Sequence, residues 1–165
     1  MAEKRLAMTK DGQLTYCTAS EENIGKGRCN HIAHQKNGED PVTFMNRVNN
    51  AQNASYDKKI EMIQKGENLN ILINDEDYEI RRVIAEQGYG LDKLINDEDW
   101  GVRKIVAEQG YGLDKLVNDK HSNVRAAVAD HGYGLDKLAN DENYLVRQTV
   151  KEYKINERKR NKIIT

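Results

Sequence analysis

The chain of 165 residues lacks several features that mark common classes of protein. It has one proline and only two cysteines, Cys17 and Cys29. No apolar run approaches the roughly 18 residues that a membrane-spanning helix needs, and the N-terminal residues contain no apolar segment typical of a secretory leader. We therefore expect a cytoplasmic protein that does not enter a membrane, in an environment that disfavours a disulfide.

The sequence also lacks the patterns of common catalytic sites. The phosphate-binding pattern Gly-x4-Gly-Lys-Ser/Thr is absent, and residues 25–28, Gly-Lys-Gly-Arg, form only a small basic loop. No carboxylate pair or triad stands out from the acids that suit helix starts, and nothing marks an oxyanion site. These absences predict a non-enzymatic protein, with a metal-dependent enzyme as an alternative.

What the chain does have is a 22-residue repeat in its second half. Residues 75–81 recur as residues 97–103, and the connector Gly-Tyr-Gly-Leu-Asp-Lys-Leu begins at Gly88, Gly110 and Gly132. A short fixed period is typical of stacked units that bury their apolar faces against one another. Arrays of this kind usually present a surface to a macromolecule, so the repeat predicts a binding scaffold.

Each repeat carries the signals of one helix and one shorter turn. Val102, Ile105 and Val106 follow the i, i+3, i+4 spacing of an amphipathic helix of about three turns. The first glycine of the connector should end this helix, and the following Leu-Asp-Lys-Leu should form a short α or 3₁₀ turn. The expected N-cap or first-turn acids are Asp75, Asp97, Asp119 and Asp141.

The repeat also predicts where the domains lie. A degenerate first unit spans about residues 57–65, and the last helix should run on through Arg158, where the stop glycine is missing. We expect a mainly α fold: a short-unit α-solenoid of about four to five repeats over residues 51–155. Residues 1–50 form a small β-hairpin module, and residues 156–165 form a basic tail.

One pattern in the repeat resembles a known group of proteins. Residues 100–107, Trp-Gly-Val-Arg-Lys-Ile-Val-Ala, are similar to the motif of leucine-rich-repeat-variant and HEAT-like families, and the likeness covers about residues 56–155. It implies a right-handed superhelix of alternating longer and shorter helices. It also implies an arginine ladder that pairs with the turn aspartate of an adjacent unit, with phosphate binding as the alternative. The ladder residues are Arg81, Arg103, Arg125 and Arg147.

Charge is distributed unevenly along the chain. Residues 74–145 carry a net charge of −7, whereas residues 146–165 carry +5. Because duplex affinity rests on cationic side chains at phosphates, the array favours a basic protein as its partner. The candidate partner-binding acids, which could equally be helix caps on a solvated face, are Asp75, Glu76, Asp77, Asp97, Glu98, Asp99, Asp141 and Glu142.

Aromatic residues repeat in two columns. Tyr89, Tyr111 and Tyr133 lie between the connector glycines, where they could form part of a protein interface or pack on the next unit. Residues Tyr78, Trp100 and Tyr144 start the helices. We interpret this second column as packing between units.

The N-terminal module holds a candidate metal site. Strands at residues 5–8 and 13–18 flank a glycine-containing turn, and Asp40-Pro41 should open a helix. Two cysteines and two histidines lie within 18 residues: Cys17, Cys29, His31 and His34. This donor set suits structural zinc. Buried thiols with incidental histidines are the alternative.

Together these patterns predict a protein-interaction scaffold that binds a basic partner through an acidic ridge. Such a protein could be a phage or mobile-element inhibitor of a nucleic-acid-handling enzyme, in the manner of anti-CRISPR or anti-restriction proteins, because regular carboxylates can imitate a phosphate backbone. The alternative function is nucleic-acid binding through the Gly-Lys-Gly-Arg loop and a basic tail. The tail residues are Lys151, Lys154, Arg158, Lys159, Arg160 and Lys162.

Overall fold

The computed structural model describes residues 5–9, 13–17, 31 and 33–164. Within these residues lie ten helices and one three-stranded antiparallel sheet. They fall into two compact units, one that ends at Leu94 and one that starts at Ile95. No described helix is both long and apolar enough to cross a bilayer. The prediction of a mainly helical chain with a small N-terminal β element is confirmed.

The first unit begins with the sheet. Its strands are β1 (Arg5–Met8), β2 (Leu14–Cys17) and β3 (Ala33–His34), in the order β2-β1-β3. The predicted hairpin of β1 and β2 is confirmed. The sequence does not predict β3, because a strand of two residues is too short to show the alternation that identifies strands.

Five helices complete the first unit. They are α1 (Pro41–Gln52), α2 (Tyr56–Gln64), α3 (Leu69–Leu72), α4 (Tyr78–Glu86) and α5 (Leu91–Leu94). The carboxylate of Asp40 caps α1 by accepting the N–H groups of Val42 and Thr43 at 2.9 and 3.1 Å. The N-cap and N1 proline predicted for this helix are therefore confirmed.

The second unit repeats one pattern of a longer and a shorter helix. Its helices are α6 (Trp100–Glu108), α7 (Leu113–Leu116), α8 (Ser122–Asp130), α9 (Leu135–Leu138) and α10 (Tyr144–Ile164). Helix α8 packs against both α6 and α10. The core between them contains Val102, Val106, Val124, Val128 and Val146, all fully buried. The predicted i, i+4 apolar stripe is thus the face that each long helix buries.

The aspartates that open each repeat are not the N-caps that the sequence predicts. Asp99 caps α6 by accepting the N–H groups of Gly101 and Val102 at 2.8 and 3.1 Å. Asp97 lies two residues earlier and accepts the N–H of Asp99 at 2.9 Å. A cap must directly precede the first helical residue, so the earlier aspartate forms a turn instead. The observed caps of α4, α6 and α8 are Asp77, Asp99 and His121.

Two glycines in each connector have left-handed backbone. Gly110 follows α6 with φ +72°, as predicted for a glycine that ends a helix. Gly112 has φ +61° and precedes α7. A Cβ at Gly112 would lie inside van der Waals contact of Ile95 Cδ1. The second glycine therefore lets the connector pass close to the preceding apolar residue, a role the sequence does not predict.

The predicted domain boundaries at residues 50 and 155 stay predictions. Helix α1 continues across residue 50 to Gln52, and α10 continues across residue 155 to Ile164. The basic tail is therefore helical as far as Ile164.

Candidate metal site and candidate interaction surface

The sheet brings three candidate metal ligands together. Cys17 ends β2, His34 ends β3, and His31 lies just before β3. The ligand atoms of these three side chains lie within 4.8 Å of one another. A tetrahedral zinc ion with ordinary Zn–S and Zn–N lengths would place its donors about 3.4–3.6 Å apart. Small side-chain rotations would therefore close the set around one ion, so the cluster can hold a metal.

The strand register explains this convergence. Cys17 pairs with Arg5, and His34 pairs with Ala7, on opposite sides of the central strand β1. Directly paired residues share one face of a sheet, as do residues two apart in a strand. Cys17 and His34 therefore lie on the same face. On this face of β1, Arg5 lies beside Cys17 and Ala7 lies beside His34. Ala7 is fully buried, and its methyl side chain leaves space next to His34.

His34 has the properties of a metal ligand. Only 6% of it is exposed, and its Nε2 has no hydrogen-bond partner among the described residues. Burial lowers the pKa of His34 to about 4, assisted by the charges of His31 and Arg5. The imidazole is therefore neutral near pH 7, and the neutral form is the one that binds metals.

A buried ion pair holds the strand that carries His34. The guanidinium of Arg47 donates to the carbonyl oxygen of His34 and to the carboxylate of Glu39, each at 2.8 Å. The hydrogen bond from Arg47 is the main reason that the pKa of Glu39 lies below its usual value. Because Arg47 belongs to α1, these bonds connect β3 to that helix.

The structure thus joins three of the four ligands predicted from the sequence. The fourth, Cys29, lies outside the described residues. His31 and His34 do approach each other, with ring centroids 5.5 Å apart in an edge-to-face arrangement.

The arginine–aspartate pairing implied by the family resemblance is confirmed for Arg103 and Arg125. Arg103 donates to both carboxylate oxygens of Asp119, at 2.7 and 2.9 Å. Its Nη1 donates to the carbonyls of Asp97 and Glu98, at 2.8 and 3.0 Å. Burial raises the pKa of Asp119, but the hydrogen bonds from Arg103 and the His121 amide outweigh it, so the net pKa is lowered.

The same arrangement recurs one repeat later. Arg125 donates to both carboxylate oxygens of Asp141 at 2.7 and 2.8 Å. Arg147 instead donates to the backbone carbonyls of Asp141 and Glu142. Both ion pairs are more than nine-tenths buried. Arg103 and Arg125 therefore serve the structure and are not available to bind phosphate.

The predicted acidic ridge divides into structural and exposed members. Asp75 forms a buried ion pair with Lys59 at 2.7 Å, and Asp141 pairs with Arg125. Asp77 and Asp99 cap helices, and Asp97 accepts a turn hydrogen bond. The other ridge acids, Glu76, Glu98 and Glu142, are exposed. Of these, Glu142 has a side chain that is 86% exposed. Glu142 also accepts a hydrogen bond from Arg125 at 3.4 Å.

The connector tyrosines lie at the other end of the long helices. Tyr111 and Tyr133 follow α6 and α8 and are each 42% exposed. The candidate acids precede the same helices, and nine helical residues span about 14 Å. Tyr89 is only partly exposed, and burial, with a smaller effect of Asp92, raises its pKa. The two predicted binding features are therefore separate surfaces.

The aromatic residues that start the helices are more exposed than the sequence analysis implies. Trp100 stacks on His121 of the next repeat, with ring centroids 4.2 Å apart, so this residue does pack between repeats. It is nevertheless 39% exposed, and Tyr144 is 62% exposed. Trp100 precedes Val102 by two residues, which is about 200° around a helix. That spacing from the buried stripe is the signal that places it towards solvent.

No family model, no curated protein and no solved structure matches this chain. It is a mainly helical repeat protein with a metal-capable β-sheet at its N-terminal end.

Proposed function

We propose that this protein is a non-enzymatic scaffold that binds another protein. In this proposal its repeats stack as a short-unit α-solenoid of the leucine-rich-repeat-variant or HEAT-like kind. The packing of α8 on α6 and α10 supports such stacking, as does an arginine–aspartate pair that recurs one repeat later. A rigid stack would present the same side-chain positions at regular intervals to a partner.

The observation that carries the proposal is a repeated pair of exposed residues at the helix starts. Glu98 precedes Trp100 by two residues, and Glu142 precedes Tyr144 by two residues. All four are exposed, and they form what we name the helix-start edge. Aromatic side chains exposed at regular positions are typical of protein interfaces, where they contribute much of the binding energy.

The chemistry of this edge favours a basic partner. Carboxylates attract lysine and arginine side chains, and the aromatic faces add cation–π attraction. The net charge of −7 over residues 74–145 acts in the same direction. The partner is therefore expected to present arginine or lysine side chains to the helix-start edge.

Changing the helix-start edge should strongly weaken partner capture. We expect the quadruple variant with Glu98→Gln, Trp100→Ala, Glu142→Gln and Tyr144→Ala to lose at least about tenfold in affinity, because two aromatic anchors and two charges are removed. The measurement is an affinity pull-down from nuclease-treated host lysate, quantified by mass spectrometry and repeated across a salt series.

The matched control replaces the tyrosines at the opposite helix ends with serine, in the variant Y111S/Y133S. This control should retain the partner that the edge variant loses, and higher salt should weaken capture by the wild-type chain. Equal capture by the wild-type chain and the edge variant would refute the proposed surface. Loss only in Y111S/Y133S would move the interface to the connector loops.

The inhibitor hypothesis is the narrower form of this proposal. Recovery of a basic nucleic-acid enzyme in the same pull-down would support inhibition of the anti-CRISPR or anti-restriction kind. Asp119 and Asp141 form buried ion pairs with Arg103 and Arg125, so these carboxylates are not exposed to imitate phosphates. In an inhibitor of this kind, the exposed glutamates would take the place of the phosphates.

Nucleic-acid binding by the basic residues of α10 and by the Gly-Lys-Gly-Arg loop is the alternative function. The loop, residues 25–28, lies outside the described residues. Most of the basic side chains of α10 beyond Val150 are exposed, and phosphate contacts would give a steep salt dependence. Gel shifts across a salt series, with wild-type chain and a variant neutralised at Arg158, Lys159 and Arg160, distinguish it from protein binding.

We propose that the cluster of Cys17, His31 and His34 binds zinc. One thiol and two imidazoles form a donor set that zinc prefers, whereas magnesium and calcium prefer oxygen ligands. The unpartnered, buried Nε2 of His34 supports this choice. An ion there would supply the interaction that this nitrogen otherwise lacks.

Metal analysis tests the zinc proposal directly. Protein purified without chelator should contain about one equivalent of zinc, and His34→Ala should reduce the content to near zero. His121→Asn is the control, because it removes a histidine from the second unit while asparagine keeps the ability to cap α8. Wild-type protein that contains no metal after zinc supplementation would contradict the proposal.

A further inference from the structure

The position of the candidate ligands on the sheet suggests a specific task for the metal. We infer that the ion fastens the two outer strands of the N-terminal sheet across the central strand, so that the sheet forms stably only when the metal is bound. This inference rests on the zinc proposal above. It goes further by stating what the metal does for the fold.

The candidate ligands lie on both outer strands of the sheet. Cys17 belongs to β2 and His34 to β3, and these strands lie on opposite sides of β1. Adjacent strands are about 4.8 Å apart, so the two outer strands have no backbone hydrogen bonds to each other. A metal bound by Cys17 and His34 would join them across β1, over the face that carries Arg5 and Ala7.

Without a bound metal, the sheet is expected to be weak. Strands β1 and β2 have four residues each, and β3 has two. A short hairpin is marginally stable in water by itself. Among the described residues, β3 contributes the pairs Ala7–His34 and Met8–Ala33. Gln35, just after β3, adds one backbone hydrogen bond to the carbonyl of Leu6 at 2.8 Å. Few backbone bonds therefore oppose separation of β3 from the hairpin.

The ligand His34 is connected to α1 through its backbone. Arg47 holds the carbonyl oxygen of His34 while it pairs with Glu39. These bonds hold the backbone carbonyl of His34 and so fix the position of the strand that carries this ligand. Here they attach the ligand-bearing strand to a helix, so metal binding would anchor β2 to that helix through β3. The guanidinium of Arg5, which pairs with Cys17 in the strand register, also lies near His34, and its positive charge would oppose the ion.

The test combines metal binding with hydrogen exchange on the full chain. Chelator-stripped protein is titrated with cobalt(II), whose absorption shows thiolate and imidazole ligation, and then with zinc. Amide exchange is measured by mass spectrometry with and without zinc. We expect zinc to slow exchange at residues 5–8 and 14–17 by about tenfold or more, because metal binding is coupled to folding. Exchange in α8 should not change.

The outcomes separate this inference from the zinc proposal. Cobalt binding with slower exchange in the strands supports both, and Cys17→Ser should then lose the thiolate band and the protection together. Cobalt binding with equal strand protection in the stripped and loaded protein overturns the fastening role and leaves the zinc site intact. Failure to bind cobalt or zinc overturns both.

Discussion

Replacing Asp119 with alanine is expected to lower the free energy of unfolding by about 3–5 kcal/mol, because the change leaves a buried arginine without its carboxylate. Arg103 is 5% exposed and donates two hydrogen bonds to Asp119. Its remaining bonds, to the carbonyls of Asp97 and Glu98, satisfy hydrogens but do not balance its charge. Urea unfolding of the full chain, followed by circular dichroism, measures the loss.

Two further variants test whether the loss of stability in D119A comes from an unpaired buried charge. Glu108→Ala removes the partner of Lys104 in an exposed pair, and it should cost less than about 1 kcal/mol. The double variant R103M/D119L should be more stable than D119A, because no buried charge remains. If D119A and E108A were equally stable, the ladder would contribute no more than an ordinary surface pair.

Replacing Gly112 with alanine should destabilise the second unit by about 2–5 kcal/mol. The left-handed backbone costs an alanine roughly 1–2 kcal/mol, and forcing a methyl group against Ile95 adds about 1–3 kcal/mol. Gly110→Ala provides the comparison. It has a similar φ, but the nearest atom, His131 Cε1, would be 3.4 Å from the new Cβ. It should therefore show the backbone cost alone.

A second substitution separates the two contributions at Gly112. Ile95→Val deletes Cδ1, the atom that the new methyl group would meet. On its own this change should cost about 0.5–1.5 kcal/mol, but in the Gly112→Ala background it should restore part of the lost stability. A cycle of the four proteins in urea measures the coupling. Additive losses would show that Ile95 moves aside freely and that the contact is unimportant.

The helical repeats could be predicted from the sequence because their signals are local. The spacing of Val102, Ile105 and Val106 identifies the buried stripe, and Gly110 ends the helix through its own backbone conformation. Each of these signals acts within one turn of the residue concerned. Because the 22-residue unit recurs, the same local signals appear several times in the sequence.

Other features depend on contacts that no local pattern reveals. The strand β3 exists because Ala33 and His34 pair with β1, more than twenty residues away. Asp97 and Asp99 look alike in sequence, yet only Asp99 directly precedes the helix and caps it. The sequence identifies Cys17 and His34 as possible metal ligands, but only the strand register shows that they lie on the same face of the sheet, on opposite sides of β1.

The binding surface shows the same limit. A row of aspartates and glutamates suggests one acidic ridge, but Asp75 and Asp141 are engaged with Lys59 and Arg125 inside the fold. The pairing partners lie sixteen residues away from these aspartates. Which acids are exposed therefore depends on tertiary packing. The exposed acids of the candidate surface are Glu98 and Glu142 rather than the paired aspartates.

The arginine ladder has a consequence for how this chain can change in length over evolution. Arg103 reaches the aspartate that opens the next repeat, Asp119, and Arg125 reaches the equivalent Asp141. Loss of residues 119–140 would bring Asp141 into the position of Asp119, so Arg103 would still meet an aspartate. An insertion or deletion between Arg103 and Asp119 that is not a whole number of repeats would break the match. Duplication or loss of whole 22-residue repeats is therefore the step by which such a protein can resize its surface while preserving its buried charges.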